Sequence, residues 1–550
     1  MTKLDDLLPI LLDVFVEAAI DSGLQTRAFE TVLDTMVSFS SINLRGKLLS
    51  RLRKVGAREL EPQAKRLLIP LSHQAIAKTA KAPSTTQLAD NPAWVEITTL
   101  VRMNMVLSFT NRLEVMLYLP ELLHVLLLLV GTGSEALRRA IHGSTINLMH
   151  SLCTEDPREI KADSENISPS GVLKVRAQLA SFVAQDALDL FGLPTNVLDP
   201  FAGSLDVYRN VPSNDQIEAL AAKAYQLAEY AAPTVDTANS WRARLTGLIT
   251  STAFQYNPFI QSRAFVLLGC LAQGEIDDDL LYQILVSLRG SISEWGNNSN
   301  DGPLISILTC LSKVVRILPR RSRYLPQMFW LGVCMLQYGQ VSVFHAGVNL
   351  LHASLETIWE RQLPQEDGID VPTFLLDART EFREASCRLD DETGIDFEID
   401  FSFAMAALLV KGLRAAPTRK PTQKLLHALL KYTSQDLEGH PYAKDGKVSV
   451  HHLGFFVALL PTAIAAEDFG QLLHLAGMDQ SICDEAVNAR RQGRWNIFTY
   501  FDEVDNKKAL LVVTLIAALL EHADTDDEKL LLYTYLGDAA VAKPAIVSIL

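Results

Sequence analysis

An all-α fold is what this sequence predicts, and three observations predict it. Apolar residues recur at helical spacing along the whole chain. Aromatic residues are only 7% of it, and period-2 runs bounded by Asn-Gly or Asp-Gly turns are missing, so strands have little to build on. The 23 prolines are spread from end to end, as short loops between many helices require.

The elements follow in chain order. From Leu44 to Leu60 the residues Leu44, Leu48, Leu52 and Val55 define one helical face, while Lys47, Arg51, Lys54 and Arg58 form a narrow cationic stripe on the other side. The run Leu117–Val130 is the greasiest in the chain, yet Pro120, Glu121 and His124 cut it below a membrane span. Helical rhythm recurs from Val172 to Leu190, and from Leu280 to Leu288 behind Asp277–Asp279, whose charge suits a helix start. In Leu304–Leu318 the apolar positions are Leu304, Ile307, Leu308, Leu311, Val314, Val315 and Leu318, with Asn300 and Asp301 ahead of Pro303 marking the start. Tyr324–Leu355 reads as two buried helices with a turn at Tyr338–Gln340. The alternation Phe397–Phe403 reads as an extended approach to a helix over Ala404–Leu413, since a lone strand would leave its backbone groups unpaired. A last amphipathic run covers Ala509–Leu520.

Longer polar gaps lie at Lys78–Pro92, Thr154–Gly171, Gly192–Asp215, Arg388–Asp400 and Ser434–Ser449, which suggests sub-blocks 1–155, 171–390 and 400–550. Between them, helix–turn–helix units of about 40 residues fill the length, the period of HEAT and armadillo repeats. One such pair cannot cover its own apolar face, so neighbours stack and share a core. The expected architecture is a HEAT/armadillo-like α-solenoid of stacked helix pairs over 1–550.

Composition excludes several functions. The 50 Lys+Arg against 64 Asp+Glu leave a net charge of −14, which argues against a nucleic-acid-coating protein. Hydrophobic residues at 48% exclude disorder over most of the length. Six cysteines, none closer than Cys310 to Cys334, exclude a disulfide scaffold and any CxxC motif. The acidic first thirty residues, with Asp5, Asp6, Asp13, Glu17 and Asp21, exclude a secretory leader. A cytoplasmic location is expected.

No motif promises chemistry. Gly131–Ala136 matches the dinucleotide fingerprint G-x-G-x-x-A on paper, but the Leu-rich segment before it is no strand, and a glycine-bearing turn between helices explains the same letters. His451 and His452 are adjacent and diverge, and His142 and His150 are eight apart with no ligand set to complete them. The acid clusters Glu275–Asp279, Asp390–Glu392 and Asp524–Glu528 lack calcium-loop spacing. No metal, no cofactor and no catalytic residue is expected. The stripe of Lys47, Arg51, Lys54 and Arg58 is the candidate interaction feature, because four stacked cations repel one another unless solvent or a partner answers them; it reads either as a solvated helix face or as a docking strip for an acidic surface.

Five collinear stretches carry a resemblance. They are Met105–Asn111 (MVLSFTN), Leu137–Thr154 (LRRAIHGSTINLMHSLCT), Ala253–Ala264 (AFQYNPFIQSRA) running on to Gly269-Cys270, Asp400–Ala404 (DFSFA) leading to Leu409–Gly412, and Leu532–Leu536 (LYTYL). Together they make the chain similar to the neurofibromin family of large Ras GTPase-activating proteins, in the part after the catalytic and lipid-binding domains. The polar segment of animal relatives is here shortened to about Gln471–Arg494, which suggests a fungal-type relative and puts a tail-borne nuclear role in doubt. The resemblance implies a non-catalytic scaffold and dimerisation arm of a negative regulator of Ras signalling. Its partners would be other domains or a second protomer of the parent protein. Ras would be met only through a catalytic domain outside these residues, since no arginine-finger signature is present. Membrane association would come through the parent protein. The alternatives are an unrelated HEAT-type adaptor or transport scaffold, and an enzyme using Gly131–Ala136 as a nucleotide loop.

Overall fold

The computed structural model describes residues 2–24, 26–39, 41–58, 93–108, 112–132, 135–153, 214–254, 258–272, 276–298, 301–434, 449–501 and 504–544. Among them the regular elements are helices, and no strand element occurs. They form two compact units, Met1–Gln273 and Gly274–Leu550, a division that falls inside the 171–390 block.

In the first unit the helices are α1 (Thr2–Ser22), α2 (Arg27–Ser38), α3 (Ile42–Arg58), α4 (Ala93–Ser108), α5 (Arg112–Leu117), α6 (Leu119–Leu129), α7 (Glu135–Cys153), α8 (Asn214–Ala231), α9 (Val235–Ala253) and α10 (Pro258–Leu271). Sequential helices pair and each pair meets the next: α3 packs on α4, α4 on α7, α6 on α9, and α9 on α10. Caps fix several starts, as where Thr26 and Thr234 accept the backbone N–H of Phe29 and Thr237. Pro258 opens α10, where the missing donor costs nothing. The Val172–Leu190 helix, and the gaps at Lys78–Pro92 and Thr154–Gly171, lie outside the described residues.

The second unit holds α11 (Asp278–Asn298), α12 (Gly302–Val314), α13 (Tyr324–Met335), α14 (Val341–Glu360), α15 (Leu363–Asp367), α16 (Val371–Asp377), α17 (Arg383–Thr393), α18 (Phe397–Arg414), α19 (Ala416–Thr433), α20 (Leu453–Leu459), α21 (Ala466–Leu475), α22 (Gln480–Arg491), α23 (Asn506–His522) and α24 (Asp526–Ala542). All seven apolar positions read in Leu304–Leu318 are buried. The turn at 336–340 separates α13 from α14 as the sequence indicates. These two helices cross through a glycine pair: a Cβ on Gly332 would sit 2.7 Å from Leu351 Cγ, and one on Gly347 2.8 Å from Met335 Cβ. A start marked by Asp301 holds, but its side chain caps no backbone N–H; Ser342 donates to it instead.

Two expectations fail in one place. Phe397–Phe403 is not an extended approach, and Arg388–Asp400 is not a polar gap. Helix α17 runs through the first half of the gap, and α18 begins at Phe397 because Asp396 caps it, accepting from Glu398 N at 2.8 Å. The period-2 impression comes from a kink at Asp400 (φ −128°, ψ 50°), which lets Phe397, Phe401 and Phe403 all turn inward. An aromatic chain then runs Trp330–Phe397–Phe401–Phe455, with centroid separations of 5.4, 6.3 and 6.3 Å.

Candidate functional site

Helix α3 presents three faces. Leu44, Leu48, Leu52 and Val55 are buried, as read from the sequence. At about 100° per residue the cationic stripe is centred only about 90° from that face, on its flank rather than opposite it. The neighbouring helices therefore reach it. Arg51 makes ion pairs with Asp13 of α1 and, at 2.9 Å, with Glu96 of α4. Lys47 and Lys54 are exposed, and Arg58 ends the helix with its side chain outside the described residues. The structure thus places Arg51 as a clamp between three helices and leaves two lysines facing solvent.

The third face of α3 lines a cleft of about 270 Å³, together with residues of α6, α9 and α10. Gly46 admits the Tyr118 ring to its edge, since a Cβ there would stand 2.7 Å from the phenol oxygen. The floor is apolar, made by Leu49, Ile97, Val125, Leu128, Leu248 and Ile260. Polar groups gather elsewhere on the lining. Arg53 is exposed, and Arg244 pairs with one oxygen of Glu121. The other oxygen, Oε2, is buried without a hydrogen-bond partner. His124 lies 2.9 Å from Thr252 Oγ1, and burial, with the nearby Arg53 charge second, pushes its imidazole down to about 4. It is neutral at physiological pH.

Arg263 holds the cleft's frame. Its guanidinium, 3% exposed, donates to Leu128 O at 3.1 Å and to Val130 O, and so satisfies carbonyls at the end of α6 that a helix leaves open. Burial lowers its pKa to about 10, still far above neutrality.

Sequence reasoning did not find this cleft. Arg53, Glu121, His124 and Arg244 come from three helices with no common local spacing. The one available signal was that Glu121 and His124, three apart on one helix face, interrupt the greasiest run of the chain.

The stretches that carry the resemblance serve as inter-helix locks. Asn147 donates to Met105 O at 2.9 Å and to Ser108 Oγ at 3.1 Å, while Ser151 donates to Ser108 O at 3.2 Å, so two of the stretches meet in space. In the second unit Ser402 Oγ accepts from Gly454 N at 3.3 Å, and Tyr535 packs edge-on against Trp495 at 5.2 Å. Gly412 lies under Phe344 and Thr422, where a Cβ would come within 2.4 Å of both side chains.

The other sequence candidates fall into place. Gly131 has φ +66° and follows α6, so a helix stands where a dinucleotide fold needs a strand; Gly133 and Ser134 lie outside the described residues. His142 and His452 are buried and His451 is exposed. Among the described residues no group of three or more His, Cys, Asp or Glu is placed to hold a metal ion, and no helix is long and apolar enough to cross a membrane.

Comparison with known proteins gives the following. No protein-family model matches the chain. It is similar to the inhibitory regulator protein IRA2 of Saccharomyces cerevisiae, 23% identical over 346 residues, which is 60% of this chain and 10% of that protein. It is also similar to the inhibitory regulator protein IRA1 of the same yeast, 20% identical over 406 residues, 73% of this chain and 12% of that one. The chain thus spans about a tenth of the length of the curated relatives it matches.

Proposed function

From its standing as a fungal-type relative of the neurofibromin family, we propose that the chain is a non-catalytic scaffold and dimerisation arm within an inhibitory regulator of Ras. One observation carries this reading. The stretches that tie the chain to the family spend their polar groups on helix–helix contacts, with Asn147, Ser151, Arg263 and Ser402 all committed to backbone partners. Such residues preserve the shape of a surface rather than a reacting centre. GTP hydrolysis would be stimulated by another part of the parent protein, and this arm would hold that part and a second protomer in register.

The test is hydrolysis itself. Ras loaded with GTP is mixed with rising amounts of the 550-residue chain, and phosphate release is followed. The expected rate is the intrinsic one, because an arginine finger supplies a factor of order 10³–10⁵ in such activators. Dose-dependent acceleration would overturn the reading. In parallel, the parent protein with and without these residues is sized by sedimentation. Loss of the dimer on deletion is expected, and an unchanged dimer would remove the assembly role.

A further inference from the structure

We propose that the cleft bounded by α3, α6, α9 and α10 binds a single-chain anionic amphiphile, its alkyl chain on the apolar floor and its phosphate head between Arg53 and Arg244. The floor residues Leu49, Ile97, Val125, Leu128, Leu248 and Ile260 come from five helices that share one core, so the hollow is pre-formed rather than opened by a ligand. At about 270 Å³ it lies near the lower end of small-molecule sites, and is too small for a helix, which is about 10 Å across. An alkyl chain is the solute that fits such a hollow without leaving a polar group unpaired.

The lining fixes the head group. Its charged groups are Arg53, Arg244 and Glu121, a local excess of one positive charge in a chain of net charge −14. Arg53 stands exposed at the cleft, and Arg244 keeps guanidinium donors beyond the one given to Glu121, so both present the planar fork that suits phosphate oxygens. Glu121 spends one oxygen on Arg244 and keeps the other buried, so the two guanidinium groups are left to meet the head group. A monoacyl glycerophosphate supplies both features, a chain for the floor and a phosphate for the two arginines. A fatty alcohol lacks the charge. The family reading of the chain does not enter this argument, so either can fail alone.

The experiment uses the whole chain and 1-octanoyl lysophosphatidate below its micelle concentration, followed by calorimetry and by the melting temperature. Saturable binding at one site with a raised melting temperature is expected. 1-Octanol should bind at least tenfold more weakly. Arg53→Glu, at an exposed position, should weaken lysophosphatidate at least tenfold and leave 1-octanol unchanged. Val125→Phe should abolish both by filling the floor, with Ser50→Trp as a second filling variant if the first fails to fold. Absence of saturable binding to the folded wild type overturns the proposal. So does binding that neither filling variant changes, and so does a site that takes an acidic amphipathic peptide in place of the lipid.

Discussion

Asp400 and Lys507 meet at 2.9 Å, with the carboxylate side chain 2% exposed and the ammonium side chain 59% exposed. The carboxylate sits at the kink of α18, and the lysine comes from the first turn of α23, 107 residues further on. This pair fixes where α23 lands on the bend. Replacing Lys507 by Met strands a buried charge and should cost about 2 kcal/mol, a value already reduced for the solvent around the ammonium. Asp400→Asn keeps the shape and should cost less. Denaturation in urea followed by circular dichroism measures both. Asp400 holds the ammonium above its ordinary 10.5, by hydrogen bond first and by charge second. The stabilisation is therefore whole at neutral pH and is lost only as pH rises through that raised value. A wild-type-minus-variant difference that fades as pH rises from 7 to 9 would contradict this.

Acid should destabilise the chain through its buried imidazoles. His124 and His452 are pushed from 6.5 down to about 4, chiefly by burial. The unfolded chain takes up protons from pH 6.5 downward while the folded one refuses them until near 4. Stability therefore falls across that window by about 1.4 kcal/mol per pH unit for each histidine. His124→Gln should flatten the pH dependence by that slope between pH 6 and 4.5. Parallel curves for wild type and variant would mean that the folded state accepts the proton.

Two glycines should respond oppositely to alanine. At Gly454 a Cβ would stand 2.5 Å from Ser402 C and 2.6 Å from Phe403 N, and backbone cannot step aside. Gly454→Ala should cost about 3 kcal/mol by forcing α20 off α18. Gly290, in the exposed middle of α11, has nothing within 4 Å. There alanine should add about 0.5–1 kcal/mol through helix propensity alone. Thermal melts of the two variants, run side by side, decide the contrast.

Removing the Arg263 guanidinium should loosen α6. Arg263→Met keeps the length of the stem and leaves the carbonyls of Leu128 and Val130 without that donor in a buried site. A loss of about 3 kcal/mol is expected. Hydrogen exchange should rise in 119–129 and 258–271 together. Exchange confined to one of the two helices would show that the arginine does not join them.

Much of the fold was legible because helical periodicity depends on near neighbours. Leu304–Leu318 and the face of Leu44, Leu48, Leu52 and Val55 needed only residues three and four apart. The segment Phe397–Phe403 was misread because aromatic residues at a kink imitate alternation; Asp396 was the visible cap signal that should have outweighed it. The cationic stripe was visible, but not that Asp13 and Glu96 would close on Arg51 from helices 38 and 45 residues away. The cleft lay beyond reach for the same reason, since Arg53, Glu121, Arg244 and Ile260 meet only once the helices have stacked.

The bond from Arg263 to Leu128 closes a loop of 135 residues, which gives the first unit a mechanical property. A chain pulled from its two ends transmits force through this clasp before the residues between can pay out. While it holds, it shares the load with the packing of α6 on α9 and α10. When it parts, about 450 Å of contour becomes available at 3.3–3.6 Å per residue. Optical-trap extension should therefore show this unit giving way in one large step, with Arg263→Met lowering the force at which the step occurs. Under load, such a clasp would act as a strain limiter.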